Sequence, residues 1–122
     1  MNNPVGWFEI YVQDMERART FYEAVLGLRL SQLDSPGMDM LAFPMNQQGY
    51  GASGALVKMP GCASGGNSVL AYFSCADCAV EAARVVAAGG GLQKEKISIG
   101  QYGFIALAFD TEGNMFGLHS MQ

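Results

Sequence analysis

The first quarter of the chain shows strand-like alternation followed by helical spacing. Residues 5–12 alternate, with one set on one face (Phe8, Ile10, Val12) and a second set on the other (Trp7, Glu9, Tyr11). Apolar residues then recur at i, i+3, i+4, i+7 and i+8, which is typical of an amphipathic helix: Ala18, Phe21, Tyr22, Val25 and Leu26. Asp14 is a suitable N-cap and Gly27 a suitable left-handed stop. The pattern predicts a strand followed by a capped helix.

Three further strands are expected before residue 60, at 28–33, 38–43 and 52–59. A Pro-Gly turn at 34–37 joins the first two, and a polar loop at 44–51 precedes the third. The order strand, helix and three strands defines a βαβββ unit. Residues 61–67 are rich in small residues and are typical of a linker.

The same order recurs after the linker. A strand at 68–75, a helix at 78–88 and strands at 92–97, 104–109 and 115–120 are predicted. The copies align at an offset of 63 residues, which matches Asp14 with Asp77, Gly27 with Gly90 and Gly54 with Gly117. The second helix is so rich in Ala and Val that its buried face is ambiguous. We therefore predict an α+β fold of one domain, with module one at 1–60, a linker at 61–67 and module two at 68–122.

Two such sheets, each covered by a helix outside, form a cup whose inner faces enclose a cleft. That cleft is the default ligand site. It would be lined by apolar and aromatic residues with two polar anchors: Trp7, Glu9, Tyr11, Leu70, Tyr72, Met115 and His119.

Charge and composition restrict the partners. The chain carries 11 acidic and 7 basic residues, a net charge of −4, without a Lys/Arg cluster. Nucleic acid is therefore an unexpected partner, because phosphate binding needs concentrated positive charge. No apolar run approaches the roughly 20 residues that span a bilayer, and the start does not resemble a signal peptide. The expected location is cytoplasmic, with no membrane partner.

Three segments together resemble the vicinal oxygen chelate superfamily, which includes glyoxalase, bleomycin resistance protein and extradiol dioxygenase, and in particular its glyoxalase-like branch. They are FEIYVQDMERARTFYEAVLGL, the AAGGG helix ending and FDTEGNMFGLHS. The resemblance implies the paired βαβββ cup, a divalent metal held by His and Glu, and frequent pairing of two chains. We therefore expect a homodimer.

The metal-ligand positions that the resemblance implies are occupied by residues that bind no metal. They fall on Trp7, Leu70, Gly117 and, by the alignment of the copies, Gly54. The expected cofactor is therefore none, although a divalent metal bound through an unusual ligand set is an alternative.

Glu9 and His119 are the candidate catalytic residues, since each shares a strand face with one of these positions. The structural alternatives are a rim carboxylate bonded to backbone or water for Glu9, and a residue near a frayed terminus for His119. Cys75 and Cys78 form a C-x-x-C at a strand-to-helix junction, but Cys75 continues an apolar face, which favours packing over redox chemistry.

Three functions fit these observations. The first is a protein that binds a small organic ligand in the cleft without metal. The second is a lyase or isomerase-type enzyme that uses Glu9 and His119, either as an acid–base pair or in a noncanonical metal site. The third is a dimerisation or partner module whose own side chains fill the cleft.

Overall fold

The computed structural model describes residues 3–122, so Met1 and Asn2 at the start of module one lie outside the described residues. Module one contains β1 (Phe8–Tyr11), α1 (Met15–Leu26), β2 (Ser31–Leu33), β3 (Asp39–Ala42) and β4 (Gly54–Lys58). Module two contains β5 (Tyr72–Ser74), α2 (Cys78–Val85), β6 (Gly91–Ser98), a 3-10 helix (Gly100–Tyr102), β7 (Phe104–Phe109) and β8 (Met115–Ser120). The predicted order of elements is confirmed.

Each module forms one four-stranded mixed sheet. The strand orders are β1-β4-β3-β2 and β5-β8-β7-β6. In each sheet the first strand pairs in parallel with the last, and the other pairs are antiparallel. The α+β fold of two tandem βαβββ modules is confirmed. Within residues 3–122, no helix has the length and apolar character needed to cross a membrane.

Helix α1 has the two ends predicted for it. The Asp14 carboxylate accepts a hydrogen bond from the Arg17 amide at 3.1 Å, which satisfies one free donor of the first turn. Gly27 adopts a left-handed conformation (φ 66°), and its N–H donates to the Glu23 carbonyl at 3.0 Å. The apolar stripe faces the core, because Ala18, Phe21, Tyr22 and Val25 are buried.

Helix α2 is three residues shorter than predicted. It ends at Val85, and the left-handed glycine that follows is Gly89 (φ 101°). Gly90, the predicted counterpart of Gly27, is not left-handed. Each of three consecutive glycines could end the helix, and the local sequence did not indicate which one does.

Because the left-handed glycine comes one residue earlier than predicted, the elements that follow α2 align with module one at an offset of 62 residues, not 63. The Val12 amide donates to the Val57 carbonyl in module one, and the Cys75 amide donates to the His119 carbonyl in module two. His119 therefore corresponds to Val57. The predicted match of Gly54 with Gly117 is wrong, because the counterpart of Gly117 is Ala55.

Strand β5 is shorter than the predicted strand at 68–75. The segment before β5 makes a backbone hydrogen bond to β8, from the Gly117 amide to the Ala71 carbonyl at 2.9 Å, and the Asn67 side chain holds its start. Its amide nitrogen donates to the Val69 carbonyl at 2.7 Å and to the Met115 carbonyl at 3.0 Å. Its oxygen accepts from the Met115 amide at 3.1 Å. A side chain thus supplies part of the pairing that a longer strand would otherwise make.

An aromatic cluster joins the two modules in one core. Rings of module one pack on rings of module two with centroids 5.6–5.9 Å apart, mostly edge-to-face or tilted. The cluster consists of Phe8, Phe21, Tyr22, Phe43, Phe73 and Phe116. Both helices bury residues in this same core, so the two modules of one chain share one hydrophobic cluster.

The loop between β7 and β8 fixes module two to helix α1. The buried Asp110 carboxylate accepts from the Tyr22 hydroxyl at 2.6 Å and from the Glu112 and Asn114 amides at 2.8 and 2.9 Å. The Asn114 side chain adds a fourth hydrogen bond at 3.1 Å. Burial, followed by the negative charge of Asp110 and the hydrogen bond to it, raises the pKa of Tyr22 well above its usual value.

The linker is anchored by the same loop. The Asn114 oxygen accepts from the Gly65 amide at 2.6 Å, and its nitrogen donates to the Tyr11 carbonyl at 3.1 Å. The Ser64 hydroxyl donates to that carbonyl at 2.6 Å. One chain therefore closes its own cup.

Candidate functional site

The inner sheet face of module one is filled by its own side chains. Ala55 and Val57 of β4 are fully buried on this face, each with 0% exposure. The residues that pack together there are Tyr11, Leu33, Met38, Met40, Ala55, Val57 and Met59. Long, flexible methionine side chains occupy the space in which a ligand would otherwise lie. This half of the cup therefore offers little open volume.

The inner face of module two remains open. Strand pairing places Ile105 opposite His119 and Leu107 opposite Gly117 on this face. Tyr72 pairs with Gly117 from the other side and is 46% exposed. The two modules thus share a fold but differ in how their inner faces are filled.

A groove of about 890 Å³ lies over this open face. We call it the inter-module groove, because both modules line it. Module one contributes Asn3, Val5, Phe8, Tyr50, Gly51 and Ala52. Module two contributes Val69, Leu70, Ala71, Tyr72, Phe73, Ser74, Ile99, Ile105 and His119.

A smaller cavity of about 210 Å³, the β1 slot, lies on the other side of the segment 69–71. It is lined by Phe8, Glu9, Ile10, Tyr11, Tyr22, Ala63, Gly65, Asn67, Val69, Ala71, Asn114, Met115 and Phe116. The β1 slot and the inter-module groove share Phe8, Val69 and Ala71. They are neighbouring cavities.

The residues predicted to line one cleft are divided between these cavities. Leu70, Tyr72 and His119 line the inter-module groove, whereas Glu9, Tyr11 and Met115 line the β1 slot. Trp7 lines neither, and it is 37% exposed. Their roles in binding stay a prediction.

Several groove residues were not predicted, among them Tyr50, Ile99 and Ile105. Ile105 could have been recognised from its pattern, since it alternates with partly buried Phe104 and buried Ala106 in a predicted strand. The register of β7 against β8, which puts it beside His119, required the structure. Tyr50 lies in a loop and is 91% exposed, so no periodic pattern marked it.

Glu9 is held by two aromatic side chains, one on β1 and one directly before it. Its carboxylate accepts from the Tyr11 hydroxyl at 2.9 Å and from the Trp7 indole N–H at 3.3 Å. The protein partners of this carboxylate are thus side chains and not backbone groups. The hydrogen bond to Glu9 raises the pKa of Tyr11, because the neutral phenol is the form that donates.

Replacement of this carboxylate is expected to change the pKa of Tyr11 more than the fold. Glu9→Gln should lower the Tyr11 pKa toward its usual value, since a neutral amide favours the protonated phenol less than a carboxylate does. The free energy of unfolding should change by less than about 1 kcal/mol, as is usual at exposed positions. NMR titration of tyrosine-labelled protein measures the first effect. An unchanged Tyr11 pKa would show that the phenol does not depend on Glu9.

One ring nitrogen of His119 is hydrogen-bonded to the backbone. Nε2 lies 2.7 Å from the Tyr102 carbonyl oxygen. A carbonyl oxygen can only accept, so Nε2 carries the proton and, in the neutral ring, Nδ1 is an acceptor. His119 can therefore present a hydrogen-bond acceptor at the inter-module groove. Glu9 lines the other cavity, so the two residues do not face one common space.

The positions that the resemblance assigns to metal ligands do not fit a metal. With the corrected alignment they are Trp7, Ala55, Leu70 and Gly117, and none has a donor atom suited to a divalent ion. The Tyr72 ring lies over Gly117, where a ligand side chain would project. Across residues 3–122, no three His, Cys, Asp or Glu side chains are close enough to hold an ion.

The cysteines are free thiols, and the C-x-x-C pair gains no support as a redox site. Burial, followed by the nearby Glu81, raises the pKa of Cys75 to about 12. A reactive cysteine needs the opposite, a lowered pKa that yields thiolate. Cys78 is fully buried in the core. Both residues therefore pack as small apolar groups, as the alternating pattern favoured.

A model of the family described as bleomycin resistance protein-like N-terminal matches residues 5–44. No curated protein matches the sequence. A glyoxylase/bleomycin resistance protein/dioxygenase domain from Frankia sp. EAN1pec is similar in structure, with a TM-score of 0.74 at 14% identity over 100% of both chains. TnmS3, an antibiotic binding protein from Streptomyces sp. CB03234, has a TM-score of 0.69 at 24% identity, covering 98% of this chain and 96% of its own.

Glyoxalase I from Zea mays has a TM-score of 0.74 at 22% identity over 97% of this chain. The chain spans about half of that protein, 46% of its length. The fold is that of the glyoxalase/bleomycin resistance/dioxygenase proteins. Together with the match at residues 5–44, it supports assignment of the chain to the vicinal oxygen chelate superfamily.

Proposed function

We propose that this protein binds a small organic ligand in the inter-module groove and holds no resident metal. The observation that supports this most strongly is the difference between the two inner faces. Module one fills its face, whereas module two leaves an apolar sheet face under a volume of about 890 Å³. Small-molecule sites are typically clefts of roughly 300–1,000 Å³ with apolar walls and few polar groups.

Exposed apolar side chains gather at this groove. Of the twelve large apolar residues that are most exposed in the described chain, five line it. They are Val5, Tyr50, Val69, Tyr72 and Ile99. Isolated exposed apolar residues are ordinary, but a group around one concavity is typical of a binding surface. His119 and Ser74 supply polar atoms among them.

One of the structural comparisons is consistent with a binding function, although others are with enzymes such as glyoxalase I. The similar proteins include TnmS3, which is described as an antibiotic binding protein. Its likeness to this chain extends over nearly the whole of both chains. A ligand of antibiotic or metabolite size fits the volume of the groove.

The absence of a metal is a separate part of the proposal. Trp7, Ala55, Leu70 and Gly117 supply no ligand atoms, so protein purified without a metal-binding tag should carry no stoichiometric divalent ion. Elemental analysis after dialysis measures this. About one equivalent of Zn, Ni, Mn or Fe per chain would contradict the metal-free proposal and favour the enzyme alternative.

The acid–base alternative has weaker support. General acid–base catalysis needs both groups within hydrogen-bond reach of one substrate. Glu9 lines the β1 slot and is engaged by Trp7 and Tyr11, while His119 lines the inter-module groove. A lyase or isomerase reaction would therefore need a substrate that reaches both cavities around the segment 69–71.

The proposed assembly is a homodimer of complete cups. Pairing of chains comes from the resemblance, and the shared aromatic core of one chain favours pairing over exchange of modules. Light scattering at micromolar concentration gives the mass directly.

Ligand binding itself is tested by a calorimetric screen of purified protein against a panel of antibiotics and metabolites. Trp7 does not line the groove, so tryptophan fluorescence is a poor reporter. We expect at least one compound to bind with one site per chain. If no compound of the panel binds, the result would favour the alternative function, a dimerisation or partner module.

A further inference from the structure

We propose that Tyr72 is the surface on which the ligand stacks, and that Gly117 is required to hold its ring there, so the groove selects planar conjugated molecules. This inference rests on the proposed ligand-binding function and adds the chemical class of the ligand. The contact between Tyr72 and Gly117 is the observation that supports it.

The Tyr72 ring lies directly against the backbone of β8. A Cβ atom built on Gly117 would be 2.2 Å from Cδ1 and 2.3 Å from Cε1 of that ring. Real Cβ atoms do not approach so closely, so no residue other than glycine is compatible with this ring position. One side of the ring is thus covered by β8, while 46% of Tyr72 remains exposed at the groove.

The same pairing of an aromatic residue with glycine occurs in module one, but on the opposite face. Phe8 pairs with Gly54, and a Cβ there would be 2.6 Å from the Phe8 ring. That pair packs in the core beneath helix α1, where an aromatic ring can stabilise a glycine in a sheet. The Tyr72–Gly117 pair instead faces the open groove. A purely structural pair needs no such exposure.

The surroundings of Tyr72 suit a flat apolar molecule. A ring fixed on one side offers a rigid face for offset stacking at little cost in side-chain entropy. Ile105 and Leu70 line the groove beside it, and His119 follows Gly117 by two residues on the same strand face. A planar ligand with one hydrogen-bond donor matches this combination.

Two probes of similar size separate stacking from simple apolar burial. They are 2-naphthol, which is planar, and decahydro-2-naphthol, which is puckered. Each is titrated into methyl-labelled wild type, Tyr72→Phe, Tyr72→Leu and Gly117→Ala, with the Ile105 and Leu70 methyl resonances reporting the groove. The melting temperature of each variant shows that it is folded.

We expect wild type and Tyr72→Phe to prefer 2-naphthol. Tyr72→Leu and Gly117→Ala should weaken binding of 2-naphthol by about 3- to 10-fold, the usual contribution of an aromatic pair to binding. The affinity for decahydro-2-naphthol should stay nearly unchanged. A change in the ratio of the two affinities cannot arise from a loss of stability alone.

Three results would overturn the inference. Equal weakening of both probes in Tyr72→Leu would make the residue structural. An unchanged preference for 2-naphthol in Tyr72→Leu would place stacking elsewhere, with binding in the groove intact. Failure of both probes to shift the groove methyls of wild type would count against stacking and against the proposed ligand site together.

Discussion

Asp110→Ala is expected to lower the free energy of unfolding by about 3–5 kcal/mol, the usual cost of breaking a buried, hydrogen-bonded charged group. Asp110 is 4% exposed and accepts four hydrogen bonds. Its removal leaves the Tyr22 hydroxyl and the Asn114 side chain without this acceptor. The loss should be large because the loop joins helix α1, the linker and β8. Chemical denaturation measures it.

Asp77→Ala is the matched control. Asp77 also accepts from a backbone amide, that of Ala79 at 3.0 Å, but its side chain is 46% exposed. Loss of such a cap usually costs about 0.5–2 kcal/mol. If Asp110→Ala costs no more than Asp77→Ala, the loop at 110–114 does not hold the modules together as described.

Gly54→Ala is expected to destabilise the protein by about 2–3 kcal/mol or more, as an overpacked core does. A Cβ atom at Gly54 would lie 2.1 Å from the Phe8 carbonyl oxygen, so backbone must move to admit it. Gly91→Ala is its control, because a Cβ there meets nothing within 4 Å. Thermal and chemical denaturation of both variants should show a change of less than about 1 kcal/mol for Gly91→Ala.

This pair of variants also tests the corrected alignment. The alignment predicted from sequence put Gly54 on the inner face as the twin of Gly117, whereas the structure places it in the core beside Phe8. A Cβ atom that projected toward the inner face instead would point away from the Phe8 ring and would be tolerated better. Stability of Gly54→Ala equal to that of Gly91→Ala would therefore contradict the register described for β4.

Module one could be predicted closely because its signals are local. Asp14 and Gly27 define both ends of α1 through their own backbone contacts, and the stripe from Ala18 to Val25 has one clear period. Module two offered weaker signals. An Ala/Val-rich helix shows no unique buried face. The run Gly89–Gly91 led to the helix-ending glycine being predicted one residue too late. The resulting alignment put Gly54 on the wrong face of the sheet.

The candidate site could be predicted in part. The alternation in β1 correctly grouped Trp7, Glu9 and Tyr11, which contact one another. Their separation from His119 could not be predicted, because it depends on the segment 69–71 lying between two cavities. The filling of one inner face by Met38 and Met40 depends on side-chain packing, which strand periodicity does not encode.

Calorimetry of a bound compound with two tryptophan variants tests most directly whether the ligand lies in the inter-module groove. Ile105→Trp adds bulk on the groove floor, while Val80→Trp adds it at an exposed position of α2 outside the groove. We predict that Val80→Trp binds as wild type does and that Ile105→Trp, once shown to be folded, binds at least about 10-fold more weakly, since occupied volume excludes the ligand. Equal affinity of all three proteins would show that the ligand binds outside the inter-module groove.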